Sequence, residues 1–174
     1  MHIIKAPNQA LRIQTKPVKK ITPGLLQTFK EMIKLTKTFH DPEGVGLSST
    51  QIGLEDRFFV GLVSTTKKFL PVINPKILFR SRTTKAYFEG CLSIPNYYGG
   101  VKRHTSIKVE YKNEAGKLIS ETLRGIPAWI FQHEVDHLDG ILFPDRVMEQ
   151  KGKFYKWIGR NKKTREDAFE EVII

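Results

Sequence analysis

Apolar side chains recur along this chain with two periods. After Thr22-Pro23, which reads as an N-cap followed by a first helical residue, Leu25, Leu26, Phe29, Met32, Ile33 and Thr36 fall three or four apart. That spacing predicts one amphipathic helix ending before Asp41-Pro42, with lysines on its solvated side and a packing role. Short β-branched and aromatic runs over 58–63 and 69–73 predict strands. Residues 106–111 and 117–123 flank Asn113-Glu114-Ala115-Gly116 as a hairpin. Pro127 then opens a second helix, closed by Gly140 and apolar on nearly all sides, which belongs in a core. The tail from 150 to 174 is basic and aromatic in its first half (Lys151, Lys153, Phe154, Tyr155, Lys156, Trp157, Arg160, Lys162, Lys163) and acidic from Glu166, and is expected to be helical. With no repeat, low-complexity tract or linker, residues 1–174 are expected to form one domain with a basic tail from about 150.

Composition narrows the class. The balance of 29 Lys+Arg against 18 Asp+Glu gives a net charge of +11, which places nucleic acid or an acidic surface among the expected partners. A content of 40% hydrophobic and 27% charged residues excludes a wholly disordered chain, and no apolar run approaches the roughly 20 residues of a membrane helix. The first thirty residues are basic without an acid, but one arginine, no serine and prolines at 7, 17 and 23 argue against a transit peptide. A single cysteine, Cys91, cannot form an internal disulfide and fits a reducing compartment, with a small buried hydrophobe as its ordinary role.

The second helix carries Gln132-His133-Glu134-Val135-Asp136-His137. Histidines at i and i+4 project from one helical face, one turn apart, and can share a metal ion, while Glu134 can reach metal-activated water as a general base. Two imidazoles and a carboxylate in an apolar helix need such partners, because buried charge must be paired or bound to a metal. A catalytic site needs a third protein ligand and an open position. Phe143, where a third histidine would continue the metzincin pattern, excludes that pattern. Glu149, Glu166, Glu170 and Glu171 are acidic alternatives, the first near the helix and the rest in the tail. Cys91, in Glu89-Gly90-Cys91-Leu92-Ser93-Ile94-Pro95, is the other candidate: a thiolate with two neutral imidazoles makes a three-ligand centre. The residues alone leave it balanced between ligand and buried hydrophobe.

A third cluster, Gly44-Val45-Gly46-Leu47-Ser48-Ser49-Thr50-Gln51-Ile52-Gly53, lets backbone approach a ligand closely, and the Gln51 amide could stabilise an oxyanion. A structural turn is the plainer reading, and the cluster lacks the spacing of a phosphate-binding glycine loop.

Taken in order, GVGLSSTQIG, EGCLSIP and QHEVDHLDG resemble the three signature motifs of the peptide deformylase family, whose members remove the N-formyl group from nascent bacterial proteins. The resemblance extends from the opening segment, Ile3 to Arg12, to about Asp145, with Arg103 standing where the family has an arginine expected to brace the Glu89 motif. It implies an α+β fold of mixed, mostly antiparallel β-sheets packed around a central metal-binding helix. It implies Cys91, His133 and His137 as metal ligands, Glu134 as acid/base, and Gln51 with the backbone N–H of Leu92 as oxyanion donors. Val45 and Gly46 would bond the peptide main chain, and Val45, Trp129 and Ile130 would line the methionine pocket. Hydroxide generated at the metal would attack the formyl carbon, with Glu134 passing the proton to the leaving amine and formate departing.

The implied cofactor is one divalent ion, Fe(II) in cells, with zinc, nickel or cobalt also accepted. The implied substrates are N-formyl-methionyl nascent peptides in a bacterial-type cytoplasm, with the ribosome a partner through the basic tail and no membrane or specific DNA contact expected. Three departures from the family pattern stand out: Ser48-Ser49 replaces the usual Ala-Ala, Tyr98 replaces an arginine that many members have near the substrate cleft and so bears on how the peptide beyond methionine is held, and Trp129 is bulkier than the usual aliphatic residue and is expected to narrow or reshape the methionine pocket. The small serines are expected to keep the turn and the activity, with hydroxyls needing partners. A different class of function, a ribosome- or RNA-associated binding protein with a retained deformylase fold, is suggested by the charge of +11, and a small metallopeptidase is a third reading.

Overall fold

The computed structural model describes all residues except 41, 65, 67, 161–163, 165 and 174. Helix α1 spans Pro23–Thr36, starting where the Thr22 hydroxyl accepts a hydrogen bond from the Leu25 N–H. It stops at Thr36, short of Asp41, because the chain doubles back over its C-terminus. The Gly44 N–H donates to the Phe39 carbonyl, and a Cβ at Gly44 would collide with the Thr36 carbonyl, so only glycine permits that passage.

The strands are β1 (Gly46–Ser48), β2 (Phe58–Gly61), β3 (Leu70–Arg80), β4 (Thr84–Cys91), β5 (Ile94–His104), β6 (Ser106–Lys112), β7 (Leu118–Arg124), β8 (Phe154–Arg160) and β9 (Asp167–Val172). Among the described residues they form a five-stranded sheet ordered β1-β2-β3-β6-β7 and a four-stranded sheet ordered β4-β5-β8-β9, with antiparallel neighbours throughout. Successive side chains of a strand face opposite ways, and β2 is buried on both sides. Phe58 meets Phe29 of α1 edge-on, with 5.2 Å between ring centroids, while Phe59 meets Phe131 at 5.3 Å on the other face. The sheet is thus covered by α1 on one side and by α2 (Ile126–Leu138) on the other. Ala128, Ile130, Phe131, Val135 and Leu138 of α2 pack with Val72, Ile107, Val109 and Leu123 of the strands. A short helix, α3 (Phe143–Glu149), places Phe143 and Val147 against Cys91 and Val101.

The tail is not helical: its described part is the β8–β9 hairpin, laid on the edge of β5 with Tyr98 opposite Tyr155. The alternation of half-buried Tyr155, Trp157 and Gly159 with exposed Lys156, Ile158 and Arg160 suits a strand, and the edge of β5 supplies ladder partners that outweigh the helical preference of Lys and Glu. Lys162 and Lys163 lie outside the described residues.

The N-terminal segment stitches distant parts together. Backbone N–H groups of Ile4, Ala6 and Thr15 donate to the carbonyls of Gln51, Ser93 and Leu138 at 2.8, 2.9 and 2.9 Å. Gly140, at φ 74°, ends the turn after α2 so close to the Arg12 carbonyl that a Cβ would strike it.

An ionic chain, buried at Glu89, Arg103 and Asp136, joins β4, β5, α2 and α3. Arg103 donates from Nε and Nη2 to Glu89 at 2.7 and 2.9 Å and from Nη1 to Asp136. Arg146 donates to Asp136 at 2.7 and 3.1 Å and to Glu149 at 2.8 Å. Removing one partner of such a network leaves buried charge uncompensated. Arg103→Ala is therefore expected to lower the unfolding free energy by about 3–5 kcal/mol in denaturant titrations. Lys16→Ala, which breaks the exposed pair with Glu55, should leave the denaturation midpoint nearly unchanged.

Candidate metal centre

Helical geometry carries His133 and His137 on adjacent turns of α2, their ring centroids 4.9 Å apart. Cys91 reaches them from the end of β4, where the pairing with β5 shifts register between Gly90 and Cys91. Its Sγ lies 3.3 Å from His137 Nε2, and one ligand atom from each of Cys91, His133 and His137 falls within 4.8 Å of the others. Cys91 and His137 are buried. Two imidazoles and a thiol converging out of solvent fit a single cation of the zinc or iron type.

Glu89 orients the site. Fully buried, it accepts hydrogen bonds from Arg103, from His133 Nδ1 at 2.9 Å and from Trp129 Nε1 at 2.8 Å. Holding Nδ1 this way leaves Nε2 of His133 for the centre. Burial pushes Glu89 up, but Arg103 and then His133 outweigh it and bring its pKa down to about 2. Burial likewise pushes the Cys91 thiol up, yet His137 and His133 bring it down to about 5, into the thiolate form that binds metals. Burial pulls His133 down, while Cys91 and Glu89 prevail and raise it. Because thiolate and imidazole bind a cation in their deprotonated forms, a cation binding here competes with protons.

Glu134 follows His133 on α2 and is also buried; burial holds its pKa above the usual carboxylate range against the pull of His133, His137 and Ser48. The Ser48 hydroxyl donates to Glu134 Oε2 at 2.6 Å, giving one of the two unusual serines a partner. Ser49 Oγ has no hydrogen-bond partner among the described residues. A Cβ at Gly46 would collide with Glu134 Oε1, so the backbone of β1 packs directly on this carboxylate. Gln51 accepts from the Ser48 N–H through Oε1 at 2.9 Å, and its Nε2 reaches Ser93 Oγ at 3.1 Å and Cys91 Sγ at 3.4 Å.

Val45, Gly46, Gln51, Leu92, Trp129, Ile130 and Glu134 line one cavity of about 390 Å³ together with Cys91 and His133; His137 stands behind them, at the centre but not on the cavity wall. Trp129 is fixed there by stacking on Tyr87, with centroids 5.0 Å apart and planes 2° from parallel, and by its bond to Glu89. Tyr98, expected near the substrate cleft, does line this cavity, but sequence reasoning missed Phe88, Asp167 and Phe169 on the same wall, because a tail read as helical had no reason to reach the cleft. It also missed Glu89 as the partner of His133, although an acid two residues before Cys91 was a usable signal.

A family model described as polypeptide deformylase matches residues 1–153. The peptide deformylase of Thermotoga neapolitana is 42% identical over 141 residues, covering 81% of this chain and 83% of that one. The peptide deformylase of Bartonella tribocorum is 38% identical over 154 residues, covering 86% and 85%. Among solved structures, the Thermotoga maritima peptide deformylase superposes with a TM-score of 0.77 at 40% identity, covering 83% of this chain and 95% of that one. A class I type b peptide deformylase from Acinetobacter baumannii with Met-Ala-Ser bound gives 0.75 at 29%, covering 84% and 98%.

The geometry predicts one divalent ion per chain. Cys91→Ala, His133→Ala and His137→Ala should each abolish its retention on gel filtration, read by elemental analysis. Glu89→Gln should weaken binding by about 10–100-fold in chelator competition, because it frees the His133 ring.

Proposed function

The chain belongs to the polypeptide deformylase family, and from that premise we propose which of its residues perform the reaction. The activity is removal of the N-formyl group from formyl-methionyl peptides with release of formate, by a metal-dependent hydrolase. The observation that carries the assignment of residues is the convergence of Cys91, His133 and His137 beside the buried carboxylate of Glu134.

In this reading Cys91, His133 and His137 hold the cation, which when bound supplies a Lewis acid and lowers the pKa of water. Fe(II) is the ion proposed in cells, on the strength of the resemblance; zinc, nickel and cobalt suit the same donors. Glu134 takes a proton from the attacking water and delivers it to the amine nitrogen as the formyl C–N bond breaks. The Ser48 hydroxyl holds Oε2 in place for both halves of that exchange. Gln51 Nε2, already directed at Cys91 Sγ, and the backbone N–H of Leu92 donate to the oxygen that becomes negative in the tetrahedral intermediate.

Backbone groups of Val45 and Gly46 bond the peptide, and Val45, Trp129 and Ile130 take the methionine side chain. Support for a peptide in this cleft comes from the Acinetobacter relative, which binds Met-Ala-Ser. The cytoplasm is the proposed location, where formylated nascent chains are met at the ribosome. The support for ribosome contact is charge alone, and in the hairpin Lys153 and Arg160 are already paired with Glu171 and Asp167. No helix among the described residues is long and apolar enough to cross a membrane.

Formate should be released from formyl-Met-Ala-Ser and not from the unformylated peptide. Glu134→Ala should lower kcat by about 10²–10⁴-fold while metal content is unchanged. Absence of formate from fully metallated wild-type protein would overturn the reading. Protein purified without oxygen should carry iron by elemental analysis, and exposure to air should lower iron content and activity together.

A further inference from the structure

The family match ends at residue 153, so the hairpin of β8 and β9 lies beyond it. The hairpin is nevertheless part of the cleft. β8 pairs with β5 at Tyr97, Tyr98 and Gly99, and β9 returns along β8 with Phe169 opposite Trp157. This carries Asp167 and Phe169 to the wall of the cavity that holds Cys91, His133 and Glu134. Phe169 meets Phe88 and Tyr98 edge-on at 5.1 and 5.2 Å, and those two rings stack on each other at 5.5 Å. The Tyr98 ring lies so close over Gly90 that a Cβ there would sit 2.6 Å from it. Phe88 is 48% exposed and Phe169 37%, so a cluster built from three strands still presents aromatic surface to the cleft. The acid on this wall is neutralised, since Asp167 accepts from Arg160 at 2.9 and 3.1 Å and from Trp157 at 3.1 Å.

We propose that Phe88, Tyr98 and Phe169 form the subsite for a residue following the methionine of the substrate, and that the hairpin makes this subsite selective for aromatic and large aliphatic side chains. The inference rests on the deformylase reading of the cleft. Tyr87 and Phe88 point to opposite faces of β4, and Tyr87 stacks on Trp129 of the methionine pocket. The aromatic wall therefore lies across the end of β4 from that pocket. A peptide anchored by its methionine passes Gly90 to Leu92 to reach it, a distance that one or two further extended residues span at about 3.3–3.6 Å each. No lysine or arginine is among the described residues lining the cavity, whereas Glu43 is, so an acidic side chain finds no cation among them.

The test uses the full-length metalloenzyme and two peptide series, formyl-Met-X-Ser and formyl-Met-Ala-X, with X as Phe, Ala or Asp. Wild-type kcat/KM should favour Phe over Ala by about tenfold in at least one series, mainly through KM, with Asp the poorest. In Phe169→Ala the Phe/Ala ratio should fall to within about twofold. Phe169→Lys, which keeps a long side chain at this exposed edge, should raise Asp above Ala and carries the test if the alanine variant misfolds. Ile158→Ala, on the same hairpin and 59% exposed, should keep the wild-type ratio. A wild type without Phe preference in either series, or ratios unchanged in both Phe169 variants, overturns the proposal. So does an equal loss in Ile158→Ala, which would mean that the hairpin acts only through folding. Wild-type, metal-loaded protein that releases no formate from any of these peptides would instead sink the deformylase reading.

Discussion

A carboxylate with no exposure to solvent sits at the centre of this structure. Glu89 is tolerable there only because Arg103, His133 and Trp129 all donate to it. Those bonds decide several things together. They set the direction of the His133 ring, hold β4 to α2, and fix the indole of Trp129 in the cleft. Through Arg103 the same charge reaches Asp136 and Arg146, so α3 is tied to the strand that delivers Cys91. Without the guanidinium, burial would drive Glu89 toward its protonated form, and a neutral carboxyl group would hold the imidazole less firmly.

Much of this could be read from residues alone, and the reasons differ by element. The 106–124 hairpin and α2 lie within one or two residues of expectation because each carries its own local signals: a turn of Asn and Gly, a proline start and a glycine stop. The i, i+4 histidines were legible because helical geometry alone puts them side by side. Cys91 could be read from the residues alone only as an even choice between ligand and buried hydrophobe, since its approach to the histidines depends on how β4 docks against α2 and no local pattern encodes that. Arg103 could be paired with the Glu89 motif by resemblance, but the contact between Glu89 and His133 is purely tertiary. The tail was misread for a related reason. Its lysines and glutamates favour a helix, whereas its conformation is decided by a ladder edge on β5, which only the folded molecule provides.

Ser48 shows how a small change of side chain enters the chemistry. Where the family pattern has alanine, this chain places a hydroxyl 2.6 Å from the carboxylate assigned to proton transfer, and the same oxygen lies 3.1 Å from the Glu134 carbonyl. Together with the backbone of Gly46 on the other oxygen, it confines the side chain to which the proposed reaction gives both proton transfers. The neighbouring Ser49 carries the same hydroxyl and finds no described partner, so it is the position of Ser48, and not serine as such, that matters.

The N-terminal stitches bear on how the molecule comes to exist. Ile4, Ala6 and Thr15 bond in turn to Gln51, Ser93 and Leu138, which belong to or border the three segments that build the centre. Each of these bonds closes a long loop, and such contacts are made slowly because chain entropy is lost before they form. During synthesis the opening residues must therefore wait until α2 has left the ribosome before their last partner is present. Until α2 is made the thiol stands on an unfinished chain without its two imidazoles, so the convergence of the three groups belongs to the folded molecule and to no segment of it.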